Sequence, residues 1–340
     1  MNSETAPAAP PPQISEPAVN LHDEAGPGTR LTYVLARLIA KQGYRIWPLN
    51  DPGIRALARL DAAVGRLPRL PGVICSVTEL GAVPVEEFRP ALPAQDGLTG
   101  ASVLYLHGGG FTFCGAGTHR RVASRMAQTL AVPVYSVLYR QLPDGGVGSA
   151  VHDAYTAYRA LLDRCPDPGK LVLAGDSSGG FLAAKICELA AADGVPAPAA
   201  LIGYSPHVDL DADRRDHDII GHDALMPVSA YRRAKRKWAR GPVAPRGARS
   251  MLEVDPAAFP PAFLTAARGE MFEADILDFT RLLADAGRIV ETHIWRGQIH
   301  AFPVLDALLP ESREAMRLTG LFLRDTVFGA ESTSRRNPRR

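Results

Sequence analysis

The chain has 340 residues, 46% hydrophobic and 22% charged, which suits a globular chain with a full core, as one large domain or two small ones. Its 38 basic and 36 acidic residues leave a formal charge of +2, so no global field recruits nucleic acid or membrane. The four cysteines, Cys75, Cys114, Cys165 and Cys187, lie far apart without a CxxC pair, which favours reduced structural thiols over a disulfide framework or zinc site.

The first residues, 1–27, are rich in Pro, Ala and Glu and read as a disordered tail. They lack a basic n-region and an apolar core, so no signal peptide is expected, and no run reaches the length of a membrane span. The expected location is the cytoplasm. Leu31, Val34, Leu35, Leu38 and Ile39 then recur at helical spacing and predict an amphipathic helix. A second helix is expected from Asp51 to Val64, and strand-like alternation between Pro71 and Pro90. From there strands are predicted at 102–106, 132–138, 170–174, 199–204, 262–266 and 290–295. Helices are predicted between most of them, at 118–130, 149–163, 179–192 and 275–287. This alternation implies an α/β fold with a mostly parallel central sheet and helices on both faces. A charged helical excursion, about 211–241, interrupts the rhythm, and the chain ends in a basic, disordered tail at 329–340.

Two glycine-rich turns carry the chemistry. Leu171-Val172-Leu173-Ala174 runs into Gly175-Asp176-Ser177-Ser178-Gly179-Gly180, and good helix formers follow. The spacing Gly175-x-Ser177-x-Gly179 fits a strand–turn–helix elbow that lifts one hydroxyl above the sheet edge at a helix N-terminus. Upstream, Leu104-Tyr105-Leu106-His107-Gly108-Gly109-Gly110-Phe111 puts three glycines straight after a buried strand. Their uncovered N–H groups suit the oxyanion of a tetrahedral intermediate, where such donors are worth roughly 3–4 kcal/mol each. A plain glycine-rich turn or a phosphate loop is the bland alternative, though no Gly-Lys-Ser/Thr follows, so the loop is not of the Walker type.

A serine nucleophile needs a histidine base steered by a carboxylate. Among nine histidines, His300 follows the last predicted strand in a loop C-terminal to the serine, the position an α/β hydrolase gives its base. His207, in the loop after Ser205-Pro206, is the second choice, while His107 is expected to shape the glycine loop. His119 and His152 fall in helical patterns, His217 and His222 in the excursion, and His293 in a strand. For the acid, Glu270, Glu273 and Asp275 compete after the strand AFLTAARG, and spacing alone does not separate them.

HGGGF paired with GDSSGG resembles the hormone-sensitive-lipase family of α/β hydrolases, whose bacterial members are carboxylesterases. Tyr139-Arg140-x-x-Pro143-Asp144 is similar to that family's YRLAPE segment, Ser205-Pro206-His207-Val208-Asp209-Leu210 to its SPWxDL and His300-Ala301-Phe302 to its HGF. The resemblance runs from about residue 30 to 325. It implies Ser177 as nucleophile, His300 as base, and the N–H groups of Gly108, Gly109 and Ser178 as the oxyanion hole, with His107, Gly110, Gly175 and Gly179 as motif residues. The family's acid lies thirty residues before the histidine, and 300 − 30 = 270 lands on Glu270, with Asp275 as the alternative. Glutamate stands where aspartate is usual, and Ser178 where alanine is usual.

By the same resemblance, helices at 28–70 and the excursion form a cap over a hydrolase domain spanning 71–328. The expected activity is hydrolysis of short- to medium-chain acyl esters such as acetyl esters, through an acyl-enzyme, with no metal or organic cofactor. The partner is a small-molecule ester, without nucleic acid or integral membrane association, and a homo-oligomer is compatible with the class. The same triad also serves amide hydrolysis, as in an N-deacetylase, or acyl transfer to an alcohol. A hydrolase scaffold that only binds a ligand typically lacks its histidine, whereas Ser177 and His300 are both present here.

Overall fold

A computed structural model of the chain describes residues 18–68, 70–96, 98–216, 220–305 and 309–329. The predicted strands appear as β4 (Ser102–Leu106), β5 (Val134–Val137), β6 (Leu171–Asp176), β7 (Ala200–Tyr204), β8 (Ala262–Ala267) and β9 (Val290–Trp295). The alternating segment at 71–90 folds as a hairpin of β2 (Val73–Leu80) and β3 (Val83–Pro90). Its two-residue turn, Gly81-Ala82, has φ of 58° and 68°, the mirror-image turn that matches strand twist.

With β1 at Ala18–His22, the sheet has nine strands among the described residues, in the order β1-β9-β8-β7-β6-β4-β5-β3-β2. Only the β2–β3 and β3–β5 pairs are antiparallel. The central strands β4, β6, β7 and β8 are buried along their whole length and mostly apolar, because both faces are covered. On β4, Leu104 and Leu106 join one core with α5 (Val147–Leu162), α6 (Ser178–Asp193) and α8 (Glu273–Asp285). Val103 and Tyr105 point the other way, against α4 (Ala116–Leu130) and α9 (Pro310–Leu321), as the two-residue period of a strand requires.

Three expectations change. The tail expected over 1–27 does not extend that far, since Ala18–His22 is strand β1, parallel to β9. It extends the sheet by pairing with the free side of β9, where the His22 ring stacks on Trp295 at 3.7 Å. Residues 1–17, 330–340 and His217 lie outside the described residues. The first amphipathic helix forms, as α1 (Pro27–Leu35), a π-helical turn (Ala36–Ala40) and α2 (Lys41–Ile46), but its apolar stripe faces solvent. Its inner face instead carries Thr29 and Ala36, both buried. The excursion contains the α-helix α7 (Val228–Lys235), and the crossover between β7 and β8 also carries short 3-10 turns at Ala212–Arg214, Met251–Glu253 and Pro256–Ala258.

These segments meet. The Arg233 guanidinium of α7 donates to the carbonyls of Tyr44 at 2.8 Å and Trp47 at 3.4 Å, tying α2 to the excursion. Helix α3 (Asp51–Val64) starts at Asn50, whose side chain caps the Gly53 N–H at 2.9 Å.

Candidate active site

Strand β6 ends at Asp176 and α6 begins at Ser178, leaving Ser177 at φ 50°, ψ −122°. A non-glycine residue there is strained by about 1–3 kcal/mol and must be held by its surroundings. The Ser177 N–H donates to the Tyr204 carbonyl at 3.0 Å, and the His207 N–H donates to the Ser177 carbonyl at 2.9 Å. The flanking glycines are compulsory. A Cβ on Gly175 would meet the Gly179 carbonyl oxygen at 2.4 Å, and one on Gly179 would meet the Leu106 oxygen at 1.8 Å.

His300 sits in the loop after β9 with its Nε2 at 2.8 Å from Ser177 Oγ and its Nδ1 at 3.3 Å from Glu270 Oε2. The ring therefore presents Nδ1–H to the carboxylate and leaves Nε2 to accept the serine proton. Burial alone would lower the His300 pKa, but the Glu270 carboxylate outweighs it and the net shift is upward. Burial lifts the Glu270 carboxyl above its ordinary value, partly offset by His300 and by the Ser205 hydroxyl. Asp275 is elsewhere: it stands in the first turn of α8, ion-paired to Arg215, which also holds Asp278. Burial pushes its pKa up to about 6 despite that pairing. Glu273 binds Arg268 at 2.8 Å and the Gly269 N–H at 2.7 Å.

Two groups that sequence reasoning passed over hold the acid. Ser205, itself at φ 48°, donates to Glu270 Oε2 at 2.9 Å and accepts the Ala301 N–H at 3.0 Å, bridging acid loop and histidine loop. Asp223, buried in the excursion, accepts the Met271 N–H at 2.9 Å and the N–H groups of Leu225 and Met226, both at 2.7 Å. Ser205 stood inside the quoted SPHVDL segment, whereas Asp223 carried no local signal at all.

The glycine loop departs from expectation at Gly108. Its N–H donates to Asp176 Oδ1 at 3.1 Å, so it is turned away from the serine. A Cβ there would lie 2.1 Å from Asp176 Oδ2, which is why the residue is glycine. Asp176 also accepts from Tyr105 Oη at 2.6 Å and lies 3.2 Å from His119 Nε2. Burial would raise its pKa, but His119 and these bonds hold it below the ordinary value. Among the described residues the N–H groups of Gly109 and Ser178 have no protein acceptor. The Gly110 N–H donates to the Ser178 hydroxyl at 2.9 Å, a bond the family's usual alanine could not make. His107 stacks on Tyr139 at 4.2 Å and places Nδ1 2.8 Å from the Gly108 carbonyl, with its pKa lowered by burial to about 4.

Over Ser177 lies a cavity of about 390 Å³, with Gly109, Gly110, His300 and Cys114 in its wall. Trp47, Leu49, Leu57 and Val64 close it from the N-terminal helices, and Met226, Tyr231 and Trp238 from the excursion. His207 also faces it, but its Nε2 lies 2.7 Å from Tyr231 Oη and its pKa is lowered by burial to about 3, which leaves a neutral wall residue. Burial lifts the Cys114 thiol to about 12, so it is not a thiolate. No group of three or more His, Cys, Asp or Glu suited to a metal ion occurs among the described residues.

Residues 103–304 match the family described as alpha/beta hydrolase fold. The chain is 32% identical over 291 residues to the carboxylesterase/phospholipase LipF of Mycobacterium tuberculosis, covering 83% of this chain and 72% of that one. It is 31% identical over 293 residues to the esterase LipU of the same organism (83% and 93% covered). An acetyl-hydrolase of Streptomyces hygroscopicus is 30% identical over 275 residues (81% and 89% covered). Among solved structures, a hormone-sensitive lipase from a metagenome library superimposes with a TM-score of 0.76 at 25% identity, covering 87% of this chain and 97% of that one. The homologue EstE7 gives 0.74 at 26% identity with the same coverage. The chain belongs to the α/β hydrolase family. Within it, this is a hormone-sensitive-lipase-like carboxylic ester hydrolase. Among the described residues no helix is long and apolar enough to cross a membrane.

Proposed function

We propose that Ser177 is the nucleophile, His300 the general base and Glu270 the acid that steers it, acting on small neutral esters of short to medium acyl chain. The observation that carries this reading is the continuous contact from Ser177 Oγ through both ring nitrogens of His300 to Glu270, at the floor of an apolar cavity. His300 Nε2 takes the hydroxyl proton as Oγ attacks the ester carbonyl. The carbonyl oxygen becomes an oxyanion, and the N–H groups of Gly109 and Ser178 are the donors free to receive it. Collapse expels the alkoxide, which leaves as the alcohol with the proton carried by His300. Water then attacks the acyl-enzyme by the same route, releasing the acid and restoring Ser177.

The N-terminal helices and the excursion serve as a cap that bounds the acyl site. Their contribution to the wall is apolar, which favours an uncharged acyl group. Initial rates on nitrophenyl esters from acetate to palmitate, for the wild type and Ser177→Ala, test the reading. Turnover of the shorter esters that disappears in the variant supports it. A folded wild type without turnover on any ester of the panel defeats it.

A further inference from the structure

The amphipathic helix that follows β1 turns its apolar stripe outward. Leu31, Val34, Leu35, Leu38, Ile39 and Ile46 share one face at helical spacing, and all are exposed, Leu38 and Ile39 by 65% and 66% and Ile46 by 83%. Against the fold the same helix presents Thr29 and Ala36. An apolar stripe of this length in water marks an interaction surface. Its charge names the partner. From Pro27 to Asn50 the sequence holds Arg30, Arg37, Lys41 and Arg45 and no acidic residue. The cations recur every seven or four residues, along one border of the stripe. Lys41 is tied to the Asp223 carbonyl, whereas the three arginines are exposed.

We infer that this helix docks the protein on an anionic phospholipid surface, lying in the plane of the interface with its apolar stripe inserted. An apolar face bordered by cations is the pattern of interfacial helices. The position of Trp47 supports it. It ends the same segment, is 37% exposed, and lines the catalytic cavity, so docking brings the cavity wall to the lipid. Residues 1–17 are a poor alternative cover, since Met1 and Ile14 are their only large apolar side chains.

The test is co-sedimentation of the full chain, as Ser177→Ala, with vesicles of phosphatidylcholine alone or mixed with phosphatidylglycerol. The serine variant makes the result independent of the proposed triad. Retention on the mixed vesicles, falling as salt rises, is expected. Leu38→Gln with Ile39→Gln should weaken it about tenfold or more. Arg30→Gln with Arg37→Gln should weaken it by about fivefold per residue and flatten the salt dependence. In a Ser177 background both pairs should leave hydrolysis of dissolved nitrophenyl butyrate unchanged. Equal retention on both vesicle types, or retention indifferent to both pairs, overturns the proposal. So does a concentration-dependent dimer abolished by Leu38→Gln with Ile39→Gln, which would give the stripe to a second copy of the chain.

Discussion

Replacing Glu270 by glutamine separates what the acid does by shape from what it does by charge. Glu270 Oε2 receives both His300 Nδ1 and the Ser205 hydroxyl, while Oε1 has no partner in its buried site. The amide oxygen therefore takes the Oε2 position, because an NH2 group there would oppose two donors. The histidine keeps its tautomer and the loss is electrostatic. A carboxylate 3.3 Å from a developing imidazolium contributes about 5 kcal/mol at an effective dielectric of 20. A neutral hydrogen bond returns about 1 kcal/mol of that. The remaining ~4 kcal/mol corresponds to a kcat roughly 10³-fold lower, with KM little changed. The assay is kcat on nitrophenyl butyrate, with circular dichroism to verify the fold, run beside Asp275→Asn. Asp275 serves Arg215 rather than His300, so its variant should lose thermal stability and keep kcat. A folded Glu270→Gln within tenfold of wild type, or an equal loss in Asp275→Asn, would refute the argument.

Because the His300 pKa is raised and the base must be neutral, activity should fall with acid through a midpoint above the ordinary histidine value of about 6.5. A pH profile of kcat/KM checks this, and Glu270→Gln should move the acid limb to lower pH. Ser205→Ala strands the Ala301 N–H and frees the acid, which should lower stability by about 1–3 kcal/mol in denaturant titration and reduce kcat. Gly108→Ala drives a Cβ into Asp176 and should prevent the loop from forming, with a large fall in melting temperature. Gly110→Ala has open space and only its φ of 60° to oppose it, so a loss of about 1–2 kcal/mol is expected.

Much of this molecule was legible as sequence because periodicity and turn chemistry are local. The central strands and the four helices predicted between them appear with their ends shifted by a few residues. Ser177, His300 and Glu270 come together although 123 and 30 residues separate the serine and the acid from the histidine. What stayed hidden depends on distant partners. The donor at Gly108 was misassigned because Asp176, 68 residues on, captures its N–H, and no spacing rule shows which glycine a neighbouring carboxylate will take. Asp223 and β1 likewise acquire their roles only when remote segments close on them. The first helix was found by its period, yet period cannot say which face meets the core. A near-zero total charge also concealed the cluster of cations beside its stripe.

Strand β1 has a consequence for how the chain is made. It pairs with the last strand of the sheet, Ala18 opposite Glu291, so 291 − 18 = 273 residues separate the partners. At a synthesis rate of about 5–20 residues per second, β1 leaves the ribosome roughly 14–55 s before its neighbour is translated. Throughout that interval it is an unpaired edge, the kind of segment that joins the wrong sheet. Asn20 within it, Pro17 before it and Asp23 and Glu24 after it are residues that discourage such pairing. The residues that flank β1 thus oppose intermolecular pairing during the interval before its partner strand is made.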